Sequence, residues 1–314
     1  MKVGLIGAGG WGKNLAQKLH ELGALGAIAE IRPEVREELK FRYPYIPIYP
    51  DHRFLLESDL PAVVIATPAA THYALTKEAL FSGKHVFVEK PLALSPKEAQ
   101  ELAEISESLG KILMVGHLLL YQPAIRFIKD FLNSGNLGEI WSLHHERLNL
   151  GKVRTVENAL WSLGIHDVAV LLFLVGRYPQ RIQAWGHAVL QPEVEDDVYL
   201  HLSFSGGLQA HIHSSWLWPE KCRRLIIIGS KGMLVFDEVA QTVVFHRKYV
   251  TPDLVHHDEG SEIVFHNADE PLKLELQHFL ECLMEGKRPL SDGKSAVEVT
   301  KVLEEATRQL RRCR

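Results

Sequence analysis

The chain has 314 residues, of which 46% are hydrophobic and 24% charged, and its formal net charge is −4 at pH 7. That length predicts two domains, the composition excludes a disordered chain, and the slight acidic excess excludes a protein that binds nucleic acid through a basic surface. Cys222, Cys282 and Cys313 are too few and too scattered for a disulfide framework or a zinc site; they read as reduced thiols, and no metal site is expected.

Residues 1–7 begin like a charged leader, but glycines interrupt the apolar run and no small-residue cleavage site follows, so they read as a strand. Further strands are predicted over 27–31, 63–66, 85–89 and 112–115. Helices alternate with them over 12–22, 33–40, 71–81 and 95–109, with Thr71 and Ser95 as N-caps. This alternation predicts an α/β domain, a Rossmann-type doubly wound parallel sheet, over residues 1–117. Beyond it the rhythm changes. Helices are predicted over 123–132, 159–174, 273–285 and 296–312, and strands over 141–148, 181–189, 197–204, 208–216, 224–228, 232–237 and 242–247. Gly206-Gly207 marks a hairpin. Residues 118–314 therefore read as an α+β domain with a mostly antiparallel open sheet, for substrate binding and oligomerisation. The longest apolar stretch, 168–175, is far short of a membrane span, and a soluble cytoplasmic protein is expected.

Gly7-Ala8-Gly9-Gly10-Trp11-Gly12 lies between the first strand and the first helix, the context that G-x-G-x-x-G requires. Gly7 permits a tight turn, Gly9 lets the backbone approach a pyrophosphate, and Gly12 lets helix and strand pack closely. The helix N-terminus then stabilises the phosphate charge. Gly10 and Trp11 complete the loop. Glu30 ends the second strand about 20 residues on, where an acid grips a ribose hydroxyl and repels a 2′-phosphate, so NAD is expected rather than NADP. Arg32 leaves a second reading open, since it could hold that phosphate, stack on adenine or be a solvated loop charge.

Thr67-Pro68, with His72 beyond, ends one strand, and Glu89-Lys90-Pro91 ends the next. Ligands of open parallel sheets bind at such carboxyl ends, so these residues are expected beside the cofactor and the Lys90 amine beside a nicotinamide ring. That placement suggests hydride transfer coupled to proton transfer. To act as a base near neutral pH, Lys90 must have its pKa lowered from about 10 toward about 7–8. With a high pKa it would polarise the substrate oxygen and leave the proton to another group.

Together with Gly116-His117, Gly164-Ile165-His166, Glu195-Asp196-Asp197, Ser214-Ser215-Trp216 and Gly229-Ser230-Lys231-Gly232, these residues resemble the glucose–fructose oxidoreductase, inositol dehydrogenase and MocA family over nearly the whole chain. The resemblance implies that Lys90 is the central catalytic lysine, that His166 is a second catalytic group, and that the Lys90-Pro91 bond is cis. Most members place an aspartate four residues before this histidine. Here Ser162 stands there, which leaves proton abstraction to Lys90 or His166. Asp167 would orient His166 or cap its helix.

The run 116–123, the Arg147-x-Asn149 strand and Trp161…His166-Asp167 are similar to the bacterial nucleotide-sugar 3-dehydrogenases of that family. This implies oxidation of UDP-N-acetylglucosamine, or of its uronic acid, to a 3-keto sugar for a pyridoxal-phosphate aminotransferase in lipid A or surface-polysaccharide synthesis. A free polyol such as inositol is the alternative substrate, and a non-catalytic NAD-binding regulator the reading from another class. Substrate contacts are expected from His117, Tyr121, Arg147, Asn149, Arg154, Trp161, Ser162, His166 and Arg223, with Lys152, Lys221 and Arg224 as further cations for a diphosphate. His211, His213 and Ser215 share one strand face, which could line a polar pocket or an oligomer contact. A homodimer or homotetramer is expected.

Overall fold

The computed structural model describes residues 1–267 and 269–312, without the side chain of Arg312; Cys313 lies outside the described residues. The chain forms two compact units. The first combines Met1–Leu118 with Glu270–Lys301, and the second combines Leu119–Asp269 with the chain from Val302 onward.

The first unit runs β1 (Val3–Ile6), α1 (Gly12–Glu21), β2 (Leu25–Ala29), α2 (Pro33–Arg42), β3 (Ile48–Tyr49), α3 (Arg53–Leu56), β4 (Ala62–Ile65), α4 (His72–Phe81), β5 (His85–Glu89), α5 (Pro96–Ser108) and β6 (Leu113–Gly116). All six strands pair in parallel in the order β3-β2-β1-β4-β5-β6, the doubly wound arrangement expected from the alternating pattern. The apolar runs of β1 and β4 are buried at every residue, which is why they read as continuous hydrophobic stretches. Ser95 caps α5 as expected, its Oγ accepting from Glu98 N at 3.2 Å with Pro96 in the first turn. Thr71 does not cap α4. Its hydroxyl donates back to Pro68 O and Thr67 Oγ1, tightening the turn that precedes the helix. The two residues of β3 and the four of α3 are too short to show a period, and the sequence pattern missed both.

The second unit contains α6 (Pro123–Asn133), β7 (Ile140–Leu150), α7 (Ile165–Val175), β8 (Arg181–His187), β9 (Asp197–Ser203), β10 (Gln209–Ser215), β11 (Leu217–Gly229), β12 (Gly232–Asp237), β13 (Thr242–Val250) and β14 (His256–His266). These eight strands form one sheet in the order β14-β13-β12-β11-β7-β10-β9-β8. Only the β7–β10 pair is parallel. Gly206 and Gly207, both at positive φ, turn β9 into β10. The edge strand β14 is mostly exposed and polar, which left no alternation to find. The predicted helix over 159–174 opens instead with a π-helical segment, Leu160–Gly164, before α7.

The closing helices α8 (Pro271–Glu285) and α9 (Gly293–Arg312) correct the expectation of a single cut after residue 117. Phe279 of α8 meets Phe87 of β5 edge-on, with ring centroids 5.7 Å apart. Ser291 Oγ donates to Val115 O at 2.7 Å, and Val115 N donates to Ser291 O at 2.8 Å. Ala296 and Val297 join the core formed by Val86, Val88 and Val115. The parallel sheet is therefore completed by the far end of the chain.

Candidate active site

A cleft of ≈ 630 Å³ opens at the carboxyl ends of β1, β2 and β4, lined by Gly7, Gly9, Gly10, Trp11, Glu30, Arg32, Thr67 and Pro68 among others. The glycines fit a dinucleotide closely. Gly7 sits at φ +88°, and a Cβ there would lie 2.8 Å from Ala66 O. A Cβ on Gly12 would lie 2.3 Å from Gly7 O, so only glycine lets α1 begin against the turn. Nothing lies within 3.4 Å of where a Cβ on Gly9 or Gly10 would point, leaving that backbone open to a phosphate at the helix N-terminus. Pro50, His52 and Leu75 also line the cleft. Pro50 and His52 lie beside β3 and α3, which are too short to read, and Leu75 sits within α4, where an apolar residue looks like any other core position.

Glu30 is buried just past β2. It accepts from Ala8 N at 2.9 Å and from Arg32 N, Nε and Nη2 at 2.8–3.0 Å. Burial opposes its ionisation, but the Arg32 guanidinium and the Ala8 amide overcome that and hold its pKa at about 2. A permanent carboxylate therefore lines the cleft past β2, and Arg32 is paired to it.

At the next strand ends the structure brings Thr67, His72, Glu89, Lys90 and His117 together. His72 is buried, with Nδ1 2.7 Å from Pro91 O and Nε2 2.9 Å from Thr67 O. It was expected to touch the cofactor; instead it ties the end of β4 to the segment after Lys90. Glu89 accepts from the Trp11 indole N–H at 2.6 Å and from Lys90 N at 3.2 Å, linking the glycine loop to the lysine-bearing strand. Desolvation pushes its pKa up to about 7, against the Trp11 hydrogen bond and the charge of Lys90. Lys90-Pro91 is cis, as the resemblance implied. His117 is buried after β6, and burial together with the Lys90 charge lowers its pKa to about 3, so it is neutral.

In the second unit His166 is half-buried near the start of α7, and Ser162 is buried in the π-helical segment. Gly164 is there because a Cβ would lie 2.7 Å from Ser214 Oγ and 2.8 Å from Leu160 Cδ1. Trp161 donates from Nε1 to Thr307 Oγ1 at 2.8 Å, and its backbone N–H is held by Asn158 Oδ1. Asp196 is wholly buried, accepting from Trp216 Nε1 and the amides of Val189 and Leu190. Asn149 sits near the end of β7 with a buried Oδ1 that meets no hydrogen-bond donor. Tyr121 is buried and Arg154 exposed.

Two expectations need correction. Arg147 is not presented to a diphosphate. It is buried, donating from Nε to Asp167 at 2.7 Å and from Nη2 to Glu238 at 2.8 Å, and those carboxylates raise its pKa despite burial. Asp167 neither orients His166 nor caps α7, because its carboxylate faces Arg147 and lies 3.3 Å from His145 Nε2. Arg223 donates to the same Glu238 at 2.9 Å and stays part-exposed. His145 and Glu238 escaped the sequence reading, since only the fold brings them to Arg147. His211 and His213 lie in a groove on the outer face of the sheet with His144, His201, Trp185 and Tyr199. No group of three or more side chains among the described residues could hold a metal ion, and no helix among them is long and apolar enough to cross a membrane.

A glycine turn between β1 and α1, a buried carboxylate just past β2 and a lysine at the end of β5, in the same parallel sheet, are the frame of an NAD-dependent dehydrogenase. Residues 1–117 match the oxidoreductase family with an NAD-binding Rossmann fold, and residues 125–235 match the GFO/IDH/MocA C-terminal domain; the chain belongs to this family. A UDP-N-acetylglucosamine 3-dehydrogenase from Acidithiobacillus ferrooxidans is 28% identical over 301 residues, covering 93% of this chain and 92% of that protein. Its solved structure superposes with a TM-score of 0.87 over 99% of this chain and 97% of that one, at 25% identity. An oxidoreductase from Magnetospirillum magnetotacticum superposes at 0.85 with 33% identity, over 97% and 98% of the two chains. A scyllo-inositol 2-dehydrogenase (NAD(+)) from Bacillus subtilis is 25% identical over 254 residues, covering 76% of this chain and 72% of that protein.

Proposed function

We propose that this dehydrogenase oxidises the C3 hydroxyl of UDP-N-acetylglucosamine, giving the 3-keto sugar that a separate aminotransferase would consume. The observation that carries the reading is Lys90 at the end of β5, one strand from a cleft built for a dinucleotide. The likeness to a 3-dehydrogenase along almost the full length of both chains supports the choice of sugar.

A bound NAD would supply the hydride acceptor, and oxidation of the alcohol would then give ketone, NADH and one proton. Glu30 holds the ribose, and the amides around Gly9 and Gly10 hold the pyrophosphate. Lys90 takes the hydroxyl proton when its amine is neutral; as an ammonium it polarises the oxygen, and His166 takes the proton. Asn149 Oδ1, buried without a donor, is assigned to a substrate hydroxyl or amide N–H. Assembly as a homodimer or homotetramer in the cytoplasm belongs to the same proposal, and sedimentation would read the oligomeric state.

One observation favours a second reading, a free polyol: Arg147, the most prominent expected cation, is fully engaged by Asp167 and Glu238. Purified protein should be incubated with NAD and either UDP-N-acetylglucosamine, with an aminotransferase to draw off product, or inositol. NADH and a 3-keto or 3-amino sugar are expected from the first. Inositol turnover, with no heat protection by UDP, would establish the second. Lys90→Ala should keep NAD binding and lose turnover by about 10³-fold or more, and undiminished turnover would refute the role of Lys90. His166→Asn tests the second group separately.

A further inference from the structure

Trp11 occupies the N-cap position of α1, where it makes no capping hydrogen bond and where a small polar residue would serve the helix better. Nor does it serve the core, since 42% of the residue is exposed. Its indole instead reaches across the sheet. The Nε1–H donates to Glu89 Oε1 at 2.6 Å, and Lys90 N donates to Glu89 Oε2 at 3.2 Å. Trp11 follows β1, Glu89 ends β5, and β4 lies between those strands. Ile6, Ile65 and Val88 are in register, so the two side chains meet across the carboxyl end of β4, over two strand spacings or about 10 Å. The Glu89 carboxyl has a fitted seat: a Cβ on Gly116 would lie 3.0 Å from Oε1 and 3.1 Å from Oε2. The indole, fixed at its one polar edge, forms part of the cleft wall with Ala66, Thr67 and Pro68.

The direction of that reach matters for the cofactor. With Glu30 holding the adenosine ribose on the β2 side and the pyrophosphate on Gly9 and Gly10, a dinucleotide sends its nicotinamide half toward β4 and β5. The indole reaches the same way, and Lys90 follows the strand it reaches. We propose that the Trp11 ring is the wall against which the nicotinamide half of NAD packs, and that its hydrogen bond to Glu89 locks this wall to the backbone of Lys90, so that cofactor and amine keep one spacing. A flat apolar ring suits a flat aromatic ligand. A wall fixed before the cofactor arrives also avoids the cost of ordering a free side chain on binding. Trp11 contacts the cofactor in this arrangement. Glu89 is a positioning residue, because it acts through the indole and through the Lys90 amide.

The inference rests on the reading of the cleft as an NAD site, and its first test needs no sugar. Calorimetry compares NAD with ADP-ribose, which lacks the nicotinamide. Trp11→Ser supplies a better cap for α1, so a loss of binding in that variant does not come from a weakened helix. It should weaken NAD by about tenfold and leave ADP-ribose within about twofold. Equal losses for both ligands, or no loss for either, would overturn the proposed contact. Failure of the wild type to bind either ligand would strike the NAD reading itself. Trp11→Phe keeps an aromatic wall without the N–H, so NAD affinity should stay within about threefold while kcat, with whichever alcohol is turned over, falls by about tenfold. Added to Glu89→Ala, Trp11→Phe should change kcat by less than about twofold, because the acceptor is already gone. Additive losses would show that the hydrogen bond does not couple the wall to Lys90. If Glu89→Ala does not fold, the calorimetric comparison in Trp11→Ser decides.

Discussion

Arg147 shows how much one buried charge depends on its partners. Replacement by methionine leaves Asp167 and Glu238 in the interior without their cation, so stability should fall by about 3–5 kcal/mol in urea unfolding. Glu238 supplies the pH signature. Burial would raise its pKa, yet Arg147 and Arg223 hold it at about 2 against an ordinary 4.5. A depressed folded pKa stabilises above the unfolded value, and that stabilisation disappears as pH falls from about 4.5 through about 2. The urea midpoint of the wild type should fall across that window, and that of Arg147→Met should change less; parallel slopes would contradict the assignment. Identity and spacing were enough for Gly7 and Gly12, because a Cβ at either would strike neighbouring backbone. Arg147 was misread because its partners stand 20 and 91 residues away in sequence.

The segment that leads into α7 ends two residues before His166 and depends on one close approach. Gly164→Ala would drive a methyl group into Ser214 Oγ and Leu160, costing about 1–3 kcal/mol and reshaping the π-helical turn. Turnover should drop by about tenfold or more while NAD affinity stays unchanged, because the cofactor cleft lies wholly in the first unit. Loss of NAD binding in that variant would show that the helix start serves the other unit as well. Elements with a clear pattern, the helical period of α1 or the unbroken apolar run of β4, were legible. The edge strand β14 and the polar first half of β11 were not, since few side chains there meet a core.

For the whole molecule, the informative variant is a chain ending after residue 269. It keeps all six parallel strands but lacks Leu276, Phe279, Ala296 and Val297. Phe279 alone is worth about 3–5 kcal/mol by analogy with other buried aromatics, so the truncated protein should neither bind NAD nor show a cooperative thermal transition. Normal binding by calorimetry would mean that α8 is dispensable. Domain order could not have been read from the pattern, because sequence continuity says nothing about a helix returning to an earlier sheet.

That return has a bearing on biosynthesis. Domains usually fold as they leave the ribosome, amino end first, at about 5–20 residues per second. Here the nascent β5 and β6 emerge early and wait, greasy face uncovered, until α8 has been translated. Slow codons upstream of residue 270 would lengthen that vulnerable interval and increase the demand for chaperones. A circular permutant starting at Glu270 would shorten it.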